Sequence, residues 1–212
     1  MDKWVKIPKS WGLRLHSGLQ EIAVESEPRD RERILHHIWM VREESQRVNL
    51  VSHGDRDFLI ERHVMPSLAA LPFVDKAPLR GICIGSGAGF PGAEIKIFRP
   101  ALRLTLVEAT RKKADFLKRV VAELQLEHVE VIWDRAENLA SGQFELALAR
   151  GVAPMARLQE IAAQLLVGGG RLIAWKGSRF PQEMKAVKKP KFELVTVHNY
   201  DPPRVLGIFR KI

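Results

Sequence analysis

Cysteine is almost missing from this chain: Cys83 is the only one in 212 residues. A single thiol excludes a disulfide framework and any cysteine-based zinc site, and it suits a reducing compartment. No apolar run approaches the roughly eighteen residues that cross a bilayer. Residues 1–6 lack the apolar core of a secretory signal, so a cytoplasmic location is expected. Internal repeats and low-complexity tracts are also lacking. Acidic residues run short, with 25 Asp and Glu against 34 Lys and Arg, a net charge of +9 and a pI near 9.9. The shortfall is concentrated: from Lys176 onward nine Lys and Arg face three Asp and Glu. Such an excess favours a polyanionic partner, most simply nucleic acid. A hydrophobic share of 46% is that of an ordinary globular protein, and the length fits one α/β domain with a modest extension.

What the chain does contain is a strand, a glycine loop and a helix in succession. Leu79 to Ile84 is an apolar run; Gly85-Ser86-Gly87-Ala88-Gly89-Phe90-Pro91-Gly92 stops it, and apolar residues resume at helical spacing over 92–98. Glycine accepts positive φ in a tight turn and lets a ligand approach the backbone, while the helix start offers free N–H groups. Gly87 in particular is expected to have no space for a side chain. A dinucleotide fingerprint would need a glycine where Phe90 stands, and a Walker loop would need Gly-Lys-Ser/Thr. G-x-G-x-G remains, the loop of S-adenosylmethionine-dependent methyltransferases. A second apolar stretch, Leu102 to Val107, ends at Glu108, about 20 residues on, where a carboxylate can accept the ribose hydroxyls of an adenosine.

Strands are expected near 79–84, 102–107, 129–133, 144–149, 170–175, 192–199 and 204–210, with helices near 92–98, 111–125, 154–166 and 180–187. This alternation predicts a mostly parallel seven-stranded sheet, Rossmann-like, with helices on both faces. Asp201-Pro202-Pro203 is too short for a crossover, so the last two strands form an antiparallel hairpin. Residues 1–75 read as a helical extension and 76–212 as the methyltransferase domain. In the extension, Ile34, Ile38, Val41 and Val48 mark a helix from Arg29. Asp55-Arg56-Asp57 starts a second helix, which Pro66 should end or kink. Trp39, Trp133 and Trp175 are assigned to the core. Gly85, Glu108, Asp134 to Glu137 and Arg150 all fall at strand ends, the rim where open α/β sheets bind ligands.

Asn49-Leu50, Arg62-His63, the G-S-G-A-G-F-P-G loop, Arg135-Ala136-Glu137, Ala149-Arg150, Lys176-Gly177 and Arg204 with Lys211 follow one another in an order that resembles the RsmG (GidB) family. The similarity runs from about Leu35 to the C-terminus. That family methylates N7 of a guanine in the decoding-centre hairpin of bacterial 16S rRNA. The resemblance implies S-adenosylmethionine as cofactor and 16S rRNA or the small ribosomal subunit as partner, with no metal, no membrane and a monomeric enzyme. It places Gly85, Ser86, Gly87, Gly89, Phe90, Glu108, Ala109, Thr110, Ala136, Glu137 and Arg150 at the cofactor, with Arg150 also facing the acceptor as the catalytic candidate. Asn49, Arg62, His63, Lys176 and Arg204 fall near substrate RNA. The clustered Lys185, Lys188 and Lys189 are added to them on charge alone. The chain departs from the family at two positions. Cys83 stands where the first strand usually presents an acid, which removes a charge and two acceptors from the cofactor side. Pro66 stands where R-H-x-x-D-S has its aspartate.

Guanine N7 carries a lone pair and no proton, so no general base is required; the nitrogen must be held in line with the methyl donor and shielded from water. Cytosine C5 chemistry would need a nucleophilic thiol, and Cys83 reads as a small core residue. Asp201-Pro202-Pro203 resembles an amine-methylation motif only superficially and reads as a turn. Adjacent His36 and His37 point about 100° apart on a helix and cannot share a metal ion. Two other functions stay open at the level of sequence: a methyltransferase for another RNA or a protein, and an RNA-binding module that has lost productive cofactor binding through Cys83.

Overall fold

A computed structural model describes residues 7–188, 190–201 and 203–212; Lys189, one of the residues expected to meet RNA, lies outside them. The strands are β1 (Arg80–Ile84), β2 (Arg103–Glu108), β3 (Val129–Trp133), β4 (Phe144–Arg150), β5 (Leu166–Lys176), β6 (Phe192–Asp201) and β7 (Arg204–Lys211). They form one sheet in the order β3-β2-β1-β4-β5-β7-β6. The first five are parallel, and β7 runs antiparallel to both β5 and β6.

Period-two alternation assigns each face. Ile82, Ile84, Ala147, Ala149, Leu172 and Ala174 point into one cluster with Met155, Leu158 and Ile161 of α6 (Met155–Leu165). The alanines on β4 and β5 leave space for that helix to lie close. Cys83, Leu146, Leu148, Ile173 and Trp175 point the other way, against Ile95 of α4 (Gly92–Phe98) and Leu117 of α5 (Arg111–Glu123). A short α7 (Phe180–Lys185) packs beside α6.

The extension is helical, with α1 (Lys9–Glu21), α2 (Pro28–Glu44) and α3 (Met65–Leu68). In α1, Trp11, Leu15 and Leu19 recur at i, i+4, i+8 and are buried. At the start of α2, Pro28 occupies the first turn and Asp30 accepts the Glu27 N–H at 3.1 Å, so the entry is capped. The apolar stripe Ile34, Ile38 and Val41 then packs in one cluster with Ala88 and Phe90 of the glycine loop, Ala93 of α4 and Phe116 of α5. Extension and glycine loop therefore share a core.

The second helix differs from expectation. Asp55 does not begin it; Asp55 ends a single 3-10 turn, His53–Asp55. Helical structure resumes as a π-helical turn, Ile60–Val64, and runs on through Pro66 as α3. Pro66 neither ends nor simply kinks the segment. It withholds the N–H that an unbroken α-helix would give to the Arg62 carbonyl, and widening the turn accommodates that loss. Trp133 also departs from expectation, being 53% exposed. It ends the edge strand β3, and the β3–β4 connection carries only a 3-10 turn, Ala136–Asn138, so no α-helix of that connection covers it; the Arg111 guanidinium lies over its ring at 5.3 Å. Its indole N–H donates to the Ala109 carbonyl at 3.1 Å. Among the described residues no helix is long and apolar enough to cross a membrane.

Candidate functional site

The carboxyl ends of β1, β2, β3, β4 and β5 meet at one rim, where strand order reverses between β1 and β4. Gly85, Gly87 and Gly89 follow β1 with φ of +63°, +56° and +107°. All three alternate glycines thus occupy the left-handed half of backbone space, which L side chains adopt only with strain. Expected crowding at Gly87 is not found: a Cβ there would meet nothing nearer than the Gly85 carbonyl at 3.9 Å. Conformation, not contact, requires glycine at that position, and the loop leaves open space above it.

Glu108 holds the loop in place. Its Oε2 accepts the Gly87 N–H and its Oε1 the Thr110 N–H, each at 2.9 Å, with the residue 7% exposed. Ser86 is buried and its hydroxyl donates to the Cys83 carbonyl at 2.9 Å, so this side chain turns inward, away from any ligand above the loop. Burial pushes the Cys83 thiol up to about 11, against hydrogen bonds from Ser86 and the Gly92 N–H. The thiol is neutral and buried, and it supplies no nucleophile.

Two clefts open on this rim. One, of about 200 Å³, is lined by Gly85, Val107, Ala109, Asp134, Ala136 and Glu137, with Val152 and Ala153 after β4. Of the residues expected at the cofactor it gathers Gly85, Ala109, Ala136 and Glu137; Glu137 at its edge pairs with exposed Arg157 at 2.9 Å. Phe90, expected at the cofactor, is buried in the loop and turned to the extension, 4.9 Å from the His37 ring and 5.0 Å from the His63 ring. The other cleft, of about 240 Å³, is lined by Asp55, Arg62, Arg150, Lys176, Tyr200 and Arg204, with Trp175 and Gly177. Larger hollows lie elsewhere, such as a 650 Å³ cleft at the opposite ends of β1, β2 and β3. That end of a parallel sheet is the one that seldom carries chemistry.

The cationic cleft gathers four basic side chains, each held by an internal partner. Arg62 bonds Asp55 at 2.7 Å and the Gly54 carbonyl at 3.0 Å, and stacks on Phe58 at 4.8 Å. Lys176 donates to Glu183 and to the Ala153 carbonyl, each at 2.7 Å, which makes it a strut between β5 and α7. Arg204 pairs with Asp201 at 3.1 Å. Arg150, expected at both cofactor and acceptor, lines only this second cleft. Its guanidinium donates to the Arg62 carbonyl at 2.5 Å and the His63 carbonyl at 3.3 Å. The first of these is the carbonyl that Pro66 deprives of its helical donor. Burial lowers the Arg150 pKa, and the charge persists because guanidinium is not deprotonated in proteins.

His63 stands against Asp55, Nε2 to Oδ2 at 3.3 Å. Burial, helped by the Arg150 charge, pushes its pKa down to about 4, so the ring is neutral at physiological pH. Burial pushes Asp55 up, but hydrogen bonds from Arg62 and Ser52 outweigh it and leave the carboxyl below its usual range. The remaining RNA candidates are not gathered here. Asn49, Lys185 and Lys188 are exposed and line neither cleft. Sequence reasoning overlooked Asp55 and Tyr200. Asp55 reads as a helix starter, although its spacing to Arg62 and His63 was a usable signal. Tyr200 is the only tyrosine in the chain.

Comparison with known proteins gives a consistent picture. A family model described as "GidB: rRNA small subunit methyltransferase G" matches residues 30–201. A ribosomal RNA small subunit methyltransferase G of Roseiflexus castenholzii is 39% identical over 189 residues, covering 87% of this chain and 76% of that protein. Its namesake from Carboxydothermus hydrogenoformans is 37% identical, over 80% of this chain and 78% of the relative. Among solved structures, Aeropyrum pernix fibrillarin with natively bound S-adenosyl-L-methionine superposes with a TM-score of 0.55 at 18% identity. The match covers 67% of this chain and 73% of fibrillarin, and it speaks for the fold.

Proposed function

The chain belongs to the rRNA small subunit methyltransferase G family, also called GidB, and on that premise we propose that it transfers a methyl group from S-adenosylmethionine to N7 of a guanine in the decoding-centre hairpin of 16S rRNA. The observation that carries the proposal is the pairing of two clefts on one rim. A glycine cradle anchored by Glu108 adjoins a cleft whose lining bears four cations and one carboxylate.

The residues present fit the cofactor. Three left-handed glycines shape the loop, Gly87 leaves open space above it, and Ala109 and Ala136 present small side chains in the neighbouring cleft. Gly85, Gly87, Gly89, Phe90, Glu108, Ala109, Thr110, Ala136 and Glu137 would hold it; Ser86 contributes through its backbone. When bound, it supplies an electrophilic methyl on a sulfonium sulfur. Guanine N7 would offer that methyl a free lone pair and would carry the positive charge in the product. No proton moves, so neither His63 nor Asp55 is needed as a base. The chain's own work is to orient the guanine and exclude water. Arg150 fixes the Arg62–His63 backbone as one wall of the acceptor cleft, while Arg62 and Arg204 meet RNA phosphates. Cys83 removes a charge beneath the loop without removing the anchor, since Glu108 carries it. Residues 1–75 act as the RNA-facing extension and 76–212 as the methyltransferase domain. The protein works as a monomer in the cytoplasm, without a metal.

Calorimetric titration of S-adenosylmethionine, followed by methylation of 16S rRNA and mass-spectrometric location of the product, tests the reading. Micromolar binding and 7-methylguanosine in the decoding-centre fragment are expected; absence of binding, with S-adenosylhomocysteine also silent, would refute it. Replacing Lys185 and Lys188 should flatten the salt dependence of RNA affinity, by about 0.7 to 0.9 in logarithmic slope for each phosphate contact removed. An unchanged slope would place both lysines in solvent alone.

A further inference from the structure

A buried histidine ties the glycine loop to the helical extension. His37 of α2 and Glu94 of α4 are both wholly inaccessible to solvent, with His37 Nδ1 2.6 Å from Glu94 Oε1. The opposite ring nitrogen, Nε2, lies 2.8 Å from the carbonyl of Ala88 in the middle of the loop. A carbonyl can only accept, so Nε2 carries a proton and donates it. The second proton of the set is shared between Nδ1 and the carboxylate. The imidazole thus spans two oxygens as a spacer of fixed length. There is no slack beside it: a Cβ on Gly89 would lie 2.8 Å from His37 Nε2. The same ring packs on Phe90, 4.9 Å between centroids. Glu94 Oε2 has no hydrogen-bond partner although it is buried, so the carboxylate is not placed for its own satisfaction.

We propose that His37 and Glu94 are positioning residues for cofactor binding: they hold Ala88, Gly89 and Phe90 in the conformation that the cofactor needs and make that conformation depend on α2. The inference rests on the cofactor reading of the glycine cradle. It gives the extension a role in the cofactor half of the site as well as in the acceptor cleft. Because coupling between two sites is reciprocal, cofactor binding must in turn steady α2.

The test compares wild type with His37→Ala, Glu94→Leu and His37→Gln, and with Ile34→Val as a control in the same buried stripe of α2 but without a bond to the loop. S-adenosylhomocysteine affinity is measured by calorimetry, thermal stability in parallel, and amide exchange across α2 with and without S-adenosylhomocysteine. His37→Ala and Glu94→Leu should weaken binding by about tenfold, the first by losing the buried hydrogen bond on the loop and the second by releasing the ring that makes it. His37→Gln, whose amide can still donate toward Ala88, should recover part of it. Ile34→Val should lower thermal stability and leave affinity unchanged. In wild type S-adenosylhomocysteine should slow exchange around His37, and in His37→Ala it should not. Should His37→Ala fail to fold, Glu94→Leu, which keeps the bulk and removes the bond to the ring, decides. Wild-type affinity in Glu94→Leu, or an equal loss of affinity in Ile34→Val, would overturn the proposal while leaving the cofactor assignment standing. Wild type that binds no S-adenosylhomocysteine would overturn both.

Discussion

Replacing Arg150 by methionine should destabilise the protein by about 1–3 kcal/mol, and replacing Pro66 by alanine in the same chain should restore about 1 kcal/mol of that. Arg150 bonds two carbonyl oxygens, those of Arg62 at 2.5 Å and His63 at 3.3 Å. The His63 carbonyl has another donor in the Ser67 hydroxyl at 2.6 Å, so losing the guanidinium leaves it bonded. The Arg62 carbonyl is in a different position, because its α-helical donor would be the N–H that proline at 66 lacks. Methionine at 150 keeps apolar bulk and leaves that one oxygen short of a donor. Alanine at 66 supplies an N–H four residues on, at the cost of roughly 0.4–1 kcal/mol from a more flexible unfolded chain. Urea unfolding of wild type, both single variants and the double variant closes a thermodynamic cycle. A coupling near 1 kcal/mol between the two sites is expected; additivity within about 0.5 kcal/mol would refute the account, since it would show that proline and guanidinium do not serve the same oxygen. Methyl transfer by the four proteins separates the second role. If Pro66→Ala restores stability to Arg150→Met but not activity, the charge itself is needed in the cleft.

Three further outcomes follow from the same geometry. Glu108→Gln keeps shape but turns one of two accepted backbone N–H groups, Gly87 or Thr110, against an amide N–H. Losing a charge-assisted bond worth about 1.5–3 kcal/mol should weaken S-adenosylhomocysteine binding by roughly ten- to a hundredfold; calorimetry finding wild-type affinity would remove Glu108 from the site. Gly87→Val should fold, because a Cβ there is unobstructed, yet lose cofactor affinity as the loop leaves its left-handed conformation at a cost of about 1–2 kcal/mol or more; unchanged binding would show that the conformation is not required. The depressed His63 pKa sets a pH dependence of stability. Native His63 stays neutral down to about pH 4 while the unfolded chain takes up its proton near 6.5, so the contribution is complete above 6.5 and is lost as pH falls from 6.5 through 4. Its size is on the order of 3 kcal/mol, for a side chain 14% exposed. Urea midpoints of wild type should fall between pH 7 and 4.5 more steeply than those of His63→Gln; parallel curves would contradict the burial argument.

The parallel sheet was legible because apolar runs in this chain are sharply punctuated. Leu79 to Ile84 is stopped by Gly85, Leu102 to Val107 by Glu108, and those edges match β1 and β2 to within a residue. β5 was the exception. It begins at Leu166, earlier than expected, because Gly168, Gly169 and Gly170 read as a breaker, while the strand carries them in a register break between the Leu166 and Arg171 pairings with β4. Trp133 was misplaced for a similar reason: strand alternation says which face a residue takes, not whether anything covers that face. The glycine loop was legible as backbone chemistry. Its support from the extension was not, because His37 meets Glu94 and Ala88 across 57 and 51 residues, which local periodicity does not register.

Cys83 and Pro66, the two departures from the family pattern, read from sequence as losses beside the site. In the fold each is answered by another residue. Pro66 deprives the Arg62 carbonyl of a helical donor, and Arg150 supplies one from the end of β4, thereby acquiring a fixed place in the wall of the cationic cleft. Cys83 brings no charge beneath the glycine loop, yet Glu108 anchors Gly87 from the neighbouring strand and His37 grips Ala88 from the extension. The loop is thus held from two sides, by one group that belongs to the sheet and one that does not. Weakening either should impair cofactor binding while leaving the sheet intact, so the effect of an altered position in this chain is judged better by the atoms it leaves unpartnered than by its distance from the expected motif.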